Sequence, residues 1–222
     1  MKMTPKNLLL SSLIAFTSVA YSQAQDQQTQ SKEATYTRVV NERAAKIAAT
    51  LGISDSQILA RVQEAIAKQY QDLNAIHDNR KEALAKLTDA SQKEVIETEA
   101  SAKLAALHSS YLTTLARDLT SQQIEQVKDG MTYGVLPITY KGYQAMLPNL
   151  TNEQKQQILT YLTEARERAM DEGSSERKHA TFGKYKGRIN NYLSAAGIDM
   201  KKASKEWEER IAREKEAAKS GK

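Results

Sequence analysis

The chain has 222 residues, of which 40% are hydrophobic, 27% charged and 6% aromatic, and a formal net charge of +5. That length suits one domain with a real core, and three Pro and nine Gly are too few for a collagen-like, linker-like or many-turned β chain. With no Cys, disulfide scaffolds, Cys-ligated zinc or iron–sulfur centres and cysteine nucleophiles are excluded.

Residues 1–24 read as a signal peptide. Lys2 and Lys6 form a positive start, Leu8 to Ala20 an apolar run, and Ala20-Tyr21-Ser22 or Ser22-Gln23-Ala24 a small-residue cleavage signal. The apolar run is shorter than the ~20 residues needed to cross a bilayer, and no Cys follows it for a lipid anchor. The expected location is therefore periplasmic or secreted, with cleavage near Ser22 or Ala24. Loss of Lys2 and Lys6 lowers the formal charge from +5 to +3. Residues 25–34 are a polar lead-in without apolar periodicity and are expected to be disordered.

From residue 35 to 208 the pattern predicts a single all-helical domain, with residues 209–222 a charged, fraying tail. The first helix carries Tyr36, Val39, Val40, Ile47, Ala48 and Leu51 at steps of three and four, and stops at Gly52. Ser54 is the expected cap of the next helix, with Gln57 completing a capping box and Ile53 packing on Ile58. Ile58, Val62, Ile66, Tyr70, Leu73, Ile76, Leu84 and Leu87 keep helical spacing, as do Val95 through Leu119 after a turn at Thr88-Asp89-Ala90-Ser91. Two helices of about thirty residues span ~45 Å each and give a long antiparallel hairpin. A break near Asp78-Asn79 is the alternative.

Leu119-Thr120-Ser121-Gln122-Gln123 and Leu150-Thr151-Asn152-Glu153-Gln154 repeat a helix-start signal, in which each Thr/Gln pair satisfies two orphan amide donors. They open helices over about 121–129 and 152–170. Another runs from about Ser175 to Ala196, closed by Gly197, and Asp199 caps a last one through Trp207. Between them, Gly130 to Pro148 holds three Gly, two Pro and three Tyr and reads mainly as a structured connection, with Pro137 able to start only a short helix.

The chemistry-bearing residues are sparse. His77, His108 and His179 have no metal-ligand spacing, and no nucleophile elbow, phosphate loop or dinucleotide motif is present. His108 beside Leu104, Leu107 and Tyr111 reads as a rim or core residue. His77-Asp78-Asn79-Arg80 could orient an imidazole, although helix-end hydrogen bonding explains it equally well. No catalytic residue, metal set or cofactor is assigned, which favours a non-enzymatic protein. A charge of +3, with Lys and Arg alternating with Glu, is weak beside a phosphate backbone, so nucleic acid is not expected as a partner.

Basic residues concentrate at Arg177-Lys178-His179, Lys184, Lys186 and Arg188. On a helix, Phe182, Tyr185, Ile189, Tyr192 and Leu193 form the buried face, and Lys184, Arg188 and Asn191 align beside it. Gly183 and Gly187 suggest a close approach of another segment or a ligand, since each costs ~1 kcal/mol in a helix; tight packing with snorkelling cations accounts for the same pattern. Together with Tyr133, Tyr140 and Tyr143 in the Gly/Pro stretch, the candidate ligand-binding set is Tyr133, Tyr140, Tyr143, His179, Lys184, Tyr185, Arg188 and Asn191. Tyr faces and cations suit a polyhydroxylated, anionic ligand.

Two resemblances add to this. Gln69-Tyr70, Leu73-Asn74, Ile76-His77-Asp78 and Arg80, then Lys128 to Gly134, Tyr140 to Thr151, Ala169-Met170-Asp171, Gly173-Ser174-Ser175, and Lys178-His179-Ala180 through Phe182 to Tyr192 resemble an exported bacterial family, domain of unknown function 3826. The match covers about Tyr36 to Trp207. It implies an exported helical protein suggested to bind sugar, with no residues of assigned function. The Leu-Thr-x-x-Gln starts are similar to those of small periplasmic chaperones and stress adaptors, although as capping boxes they are explained by helix initiation alone. The leading expectation is an exported, non-enzymatic binding protein for a carbohydrate or small polar, anionic ligand. A chaperone or adaptor with a protein client is the alternative, and a saccharide hydrolase a further one.

Overall fold

The computed structural model describes residues 33–220, and within them the chain is all-helical. The expected signal peptide and most of the lead-in lie outside the described residues; the helix is already formed at residue 33. In chain order the helices are α1 (33–49), α2 (Ser56–Ala85), α3 (Ala90–Leu115), α4 (Ser121–Met131), α5 (Val135–Met146), α6 (Asn152–Met170), α7 (Ser175–Ala195) and α8 (Met200–Ser220). No helix among the described residues is long and apolar enough to cross a membrane.

Local signals place most of these ends. Thr120/Gln123 and Thr151/Gln154 both form complete capping boxes. Gly52 and Gly197 end helices at φ +66° and +86°, a region open to glycine at little cost, and Asp199 accepts from the Lys202 amide, as expected of a cap. The α2 cap is Asp55 rather than Ser54: its carboxylate accepts from Gln57 N at 2.8 Å and Ile58 N at 3.1 Å. A carboxylate there also complements the positive helix end. α2 runs unbroken through Asp78 and Asn79, so the hairpin is continuous.

Two apolar clusters carry the fold. The first joins α1 to the α2–α3 hairpin and α4 through Ala44, Ile47, Val62, Ile66, Leu73, Tyr111, Leu115, Val127 and Met131. The second joins α5, α6 and α7 through Leu136, Tyr143, Ile158, Leu162, Ala165, Phe182, Tyr185, Ile189 and Leu193. Met170, at the end of α6, belongs to the first cluster and so crosses between the halves. α8 packs on α5 and α7.

Three expectations about the second half need correction. Residues 135–146 of the Gly/Pro/Tyr stretch are a helix, and only short turns flank it. Pro137 is the third helical residue, where its missing N–H has no intrahelical partner to lose, and burial of Leu136 and Tyr143 outweighs the cost of Gly142. Gly183 and Gly187 face open space: nothing lies within 4 Å of a Cβ built at either, so no segment packs closely there. Finally, the charged end is helical through Ser220, and Arg210 donates to Ala145 O at 2.8 Å and Met146 O at 3.2 Å, tying α8 to the last turn of α5.

Candidate functional site

The hairpin and the second half meet at the short link between α6 and α7. Here α6 ends on Met170, Asp171 is its C-cap, and Ser174 caps α7 by accepting from Arg177 N. On the hairpin side, His108 of α3 places Nδ1 3.0 and 3.1 Å from the two Asp171 carboxylate oxygens and Nε2 3.5 Å from Glu167 Oε2. Hydrogen bonding to Asp171, then to Glu167, outweighs burial and pushes the imidazole up to about 9. His108 is thus a cation at neutral pH, held between two carboxylates at the negative end of α6.

Glu167 extends the network into α4. Burial opposes its ionisation, but hydrogen bonds from His108 and Lys128 and the charges of Lys128 and Arg166 hold it down to about 2. Lys128 Nζ lies 3.0 Å from Glu167 Oε2 and 3.1 Å from Glu125 Oε1. Arg166 is 3% exposed and pairs with Asp129 at 2.9 Å and with Glu125. Such a partly buried network, built around the buried Arg166 and Lys128, orients the elements that meet in it, and it tolerates the loss of one partner poorly.

Lys178 of α7 lies on the other side of the link. It is 4% exposed, donates to Met131 O at 3.2 Å and Met170 O at 3.1 Å, and sits 5.6 Å from the Tyr70 ring centroid. Those carbonyls are the last of α4 and α6, acceptors that a helix leaves without an internal partner. Burial lowers Lys178 to about 8 and raises Tyr70, which also feels Tyr133, to about 12.

The two shifts have opposite consequences for stability. His108, raised from 6.5, contributes stability that is complete below about pH 6.5 and lost as pH rises through 9. Lys178, lowered from 10.5, costs stability while charged in the fold, and that cost is relieved as pH rises from about 8 to 10.5. Urea unfolding is expected to show stability falling by about 2 kcal/mol between pH 6 and 9, with the fall absent in His108→Gln. An unchanged slope in that variant would reject the assignment to His108.

Beside this link lies a pocket of about 450 Å³ between α2 and the start of α7, lined by Asn74, His77, Asp78, Arg80, Lys81, Leu84, Gly173, Ser174 and Arg177. Asn74, His77, Asp78 and Lys81 share a face of α2, being spaced by three and four. His77 Nε2 is 2.7 Å from Asp171 O; a carbonyl only accepts, so this nitrogen carries the proton and Nδ1 is the acceptor of the neutral ring. Arg80 is held across the hairpin by Glu97 at 2.6 Å, and Asn74 donates to Asp78 at 2.7 Å. Gly173 presses on the His77 ring so closely that a Cβ would meet it at 2.8 Å, so the link needs a residue without a side chain at that point.

The structure does not gather the eight residues expected from the sequence, and none of them lines this pocket. Tyr133 and His179 come together, with rings stacked at 5.4 Å; Tyr133 is 46% exposed and held at φ 59°. Tyr143 is buried, donates to Asn190 Oδ1 at 2.7 Å and is pushed up to about 12 by burial. Tyr140 packs half-buried on the second cluster. Tyr185 is buried, with the Arg188 guanidinium 4.6 Å from its ring centroid, while Arg188, Lys184 and Asn191 are exposed along α7. Of the missed pocket residues, His77, Asp78 and Arg80 were visible within the run His77-Asp78-Asn79-Arg80 and Arg177 within the basic run Arg177-Lys178-His179; what was absent was any signal that these segments adjoin.

The fold and site define an all-helical protein in which a partly buried ionic network clamps a helical hairpin onto a second helical half, next to a cationic pocket. The chain belongs to the family described as protein of unknown function DUF3826, whose model matches residues 37–213. Comparison with curated proteins gives no match.

Proposed function

We propose that the protein is an exported, non-enzymatic binding protein that holds a carbohydrate or similar small polar ligand in the α2–α7 pocket. The observation that carries this reading is the pocket itself. At about 450 Å³ it falls within the ~300–1,000 Å³ of small-ligand sites, and its lining mixes donors and acceptors from α2, the α6–α7 link and α7: Asn74, His77, Asp78, Ser174 and Arg177. Leu84 adds an apolar contact for the face of a ring. A single carboxylate, Asp78, lines it, whereas glycoside hydrolysis in most families uses two, so binding without turnover is the reading the pocket supports best. The lysine-flanked apolar run Leu8 to Ala20 supports export. The chaperone reading has less support, because the large apolar side chains exposed among the described residues are Val95, Tyr133 and Ile138, on different elements.

Calorimetry with a panel of neutral and acidic oligosaccharides tests the proposal. Saturable binding that is abolished by Asn74→Leu, which replaces the pocket's amide donor and acceptor by an apolar side chain, is the expected result. Binding that survives Asn74→Leu but is lost in Tyr140→Ala or Arg188→Gln would place the site on α5 and α7 instead. No binding across the panel would overturn the reading.

A further inference from the structure

Within the pocket the charges are not balanced. Three cations, Arg80, Lys81 and Arg177, line it against one carboxylate, Asp78. Two of the four are already engaged: Arg80 is fixed by Glu97, and Asp78 accepts from the Asn74 amide. Lys81 and Arg177 have no ion-pair partner among the described residues, so both are free to meet a ligand in the pocket they line. Lys81 extends from α2 on the face of Asn74, His77 and Asp78, and Arg177 enters from the first turn of α7. The two therefore converge from different halves of the fold, across a link whose position is fixed by Gly173 against His77 and by His77 on Asp171 O.

We infer that the ligand carries an anionic group, a carboxylate of a uronic acid or a sulfate ester, seated between Lys81 and Arg177. This rests on the reading of the pocket as a saccharide site and names the class of saccharide it takes. An anion there meets positive charge from both sides of the pocket and offers paired oxygens to the planar guanidinium fork, which a neutral hydroxyl cannot match in charge or geometry. Asn74, His77 and Asp78 are then left for the hydroxyls of the same ring or its neighbour.

The test is calorimetry of the full chain with galacturonate oligosaccharides, galactose oligosaccharides of equal length, and their sulfated counterparts, over a salt series. The expected result is that one anionic set binds at least about tenfold tighter than the neutral set, with affinity falling as salt rises. Arg177→Gln and Lys81→Gln should each weaken anionic binding by roughly tenfold and so shrink the preference for the anionic over the neutral set, and Arg177→Lys should recover part of the loss. Both residues are exposed, so thermal melts of the variants should match wild type. The carboxylate and sulfate arms decide which anion is taken. Equal binding of neutral and anionic sets, or anionic binding indifferent to both substitutions, overturns the inference while the binding reading stands on its Asn74→Leu result. No binding of any set overturns both.

Discussion

Arg166→Met is expected to destabilise the fold by about 3 kcal/mol, at the lower end of what loss of one partner from a buried ion pair costs. The methionine fills nearly the same space, so packing is largely kept. What is lost is the cation that Asp129 and Glu125 face from α4. Glu125 is half exposed and can turn to water, but the Asp129 side chain is 29% exposed and would be left with a poorly solvated charge. Urea denaturation reads the effect as a lower midpoint at unchanged slope. Adding Asp129→Asn to Arg166→Met should return a good part of the loss, because the stranded charge goes with it. A single variant within about 0.5 kcal/mol of wild type, or a double variant no better than the single, would show that the pair does not hold α4 to α6 as described.

Phe182→Ala is expected to cost about 3–5 kcal/mol, the usual range for deleting a buried aromatic ring and leaving the cavity behind. Phe182 is 1% exposed and is among the largest fully buried side chains. It sits on the face of α7 that also carries Tyr185, Ile189 and Leu193, packed with Leu162, Ala165 and Ala169 of α6. For a chain of this size each kcal/mol lowers Tm by roughly 2–4 °C, so a fall of about 10 °C in a thermal melt is the readout. Phe182→Leu, which keeps much of the volume, should lose well under half as much. Equal losses for the two would mean that cavity formation is not the cause. Because the first turn of α7 also supplies Arg177, a destabilised second cluster should blunt the proposed ligand binding only through the fraction unfolded, and not in variants measured well below their Tm.

The helices and most of their ends were legible in the sequence because their causes are local. Thr120 with Gln123 and Thr151 with Gln154 satisfy amides within one turn, and the three- and four-residue spacing of Ile58, Val62, Ile66 and Leu73 needs only the helical period. The buried face of α7 was legible for the same reason. α5 was misread because Gly and Pro are strong punctuation in a local reading, while the burial of Leu136 and Tyr143 against α6 and α7 is a tertiary term that overrides it.

The site was decided by tertiary structure alone. His108 and Asp171 lie 63 residues apart, and His77 and Asp171 94 apart; no spacing rule reaches across three or more intervening helices. Arg177, Lys178 and His179 look alike as a basic run, yet the helix turns them by about 100° per residue. One lines the pocket, the next is buried against the carbonyl ends of α4 and α6, and the third stacks on Tyr133. The sequence by itself therefore determined that this is a helical, cysteine-free protein with capped segments and one apolar face per helix. Which polar residues share a pocket, and which charges are buried, followed only from how those faces pack, because burial and proximity across the fold are properties of the assembled helices and not of any one of them.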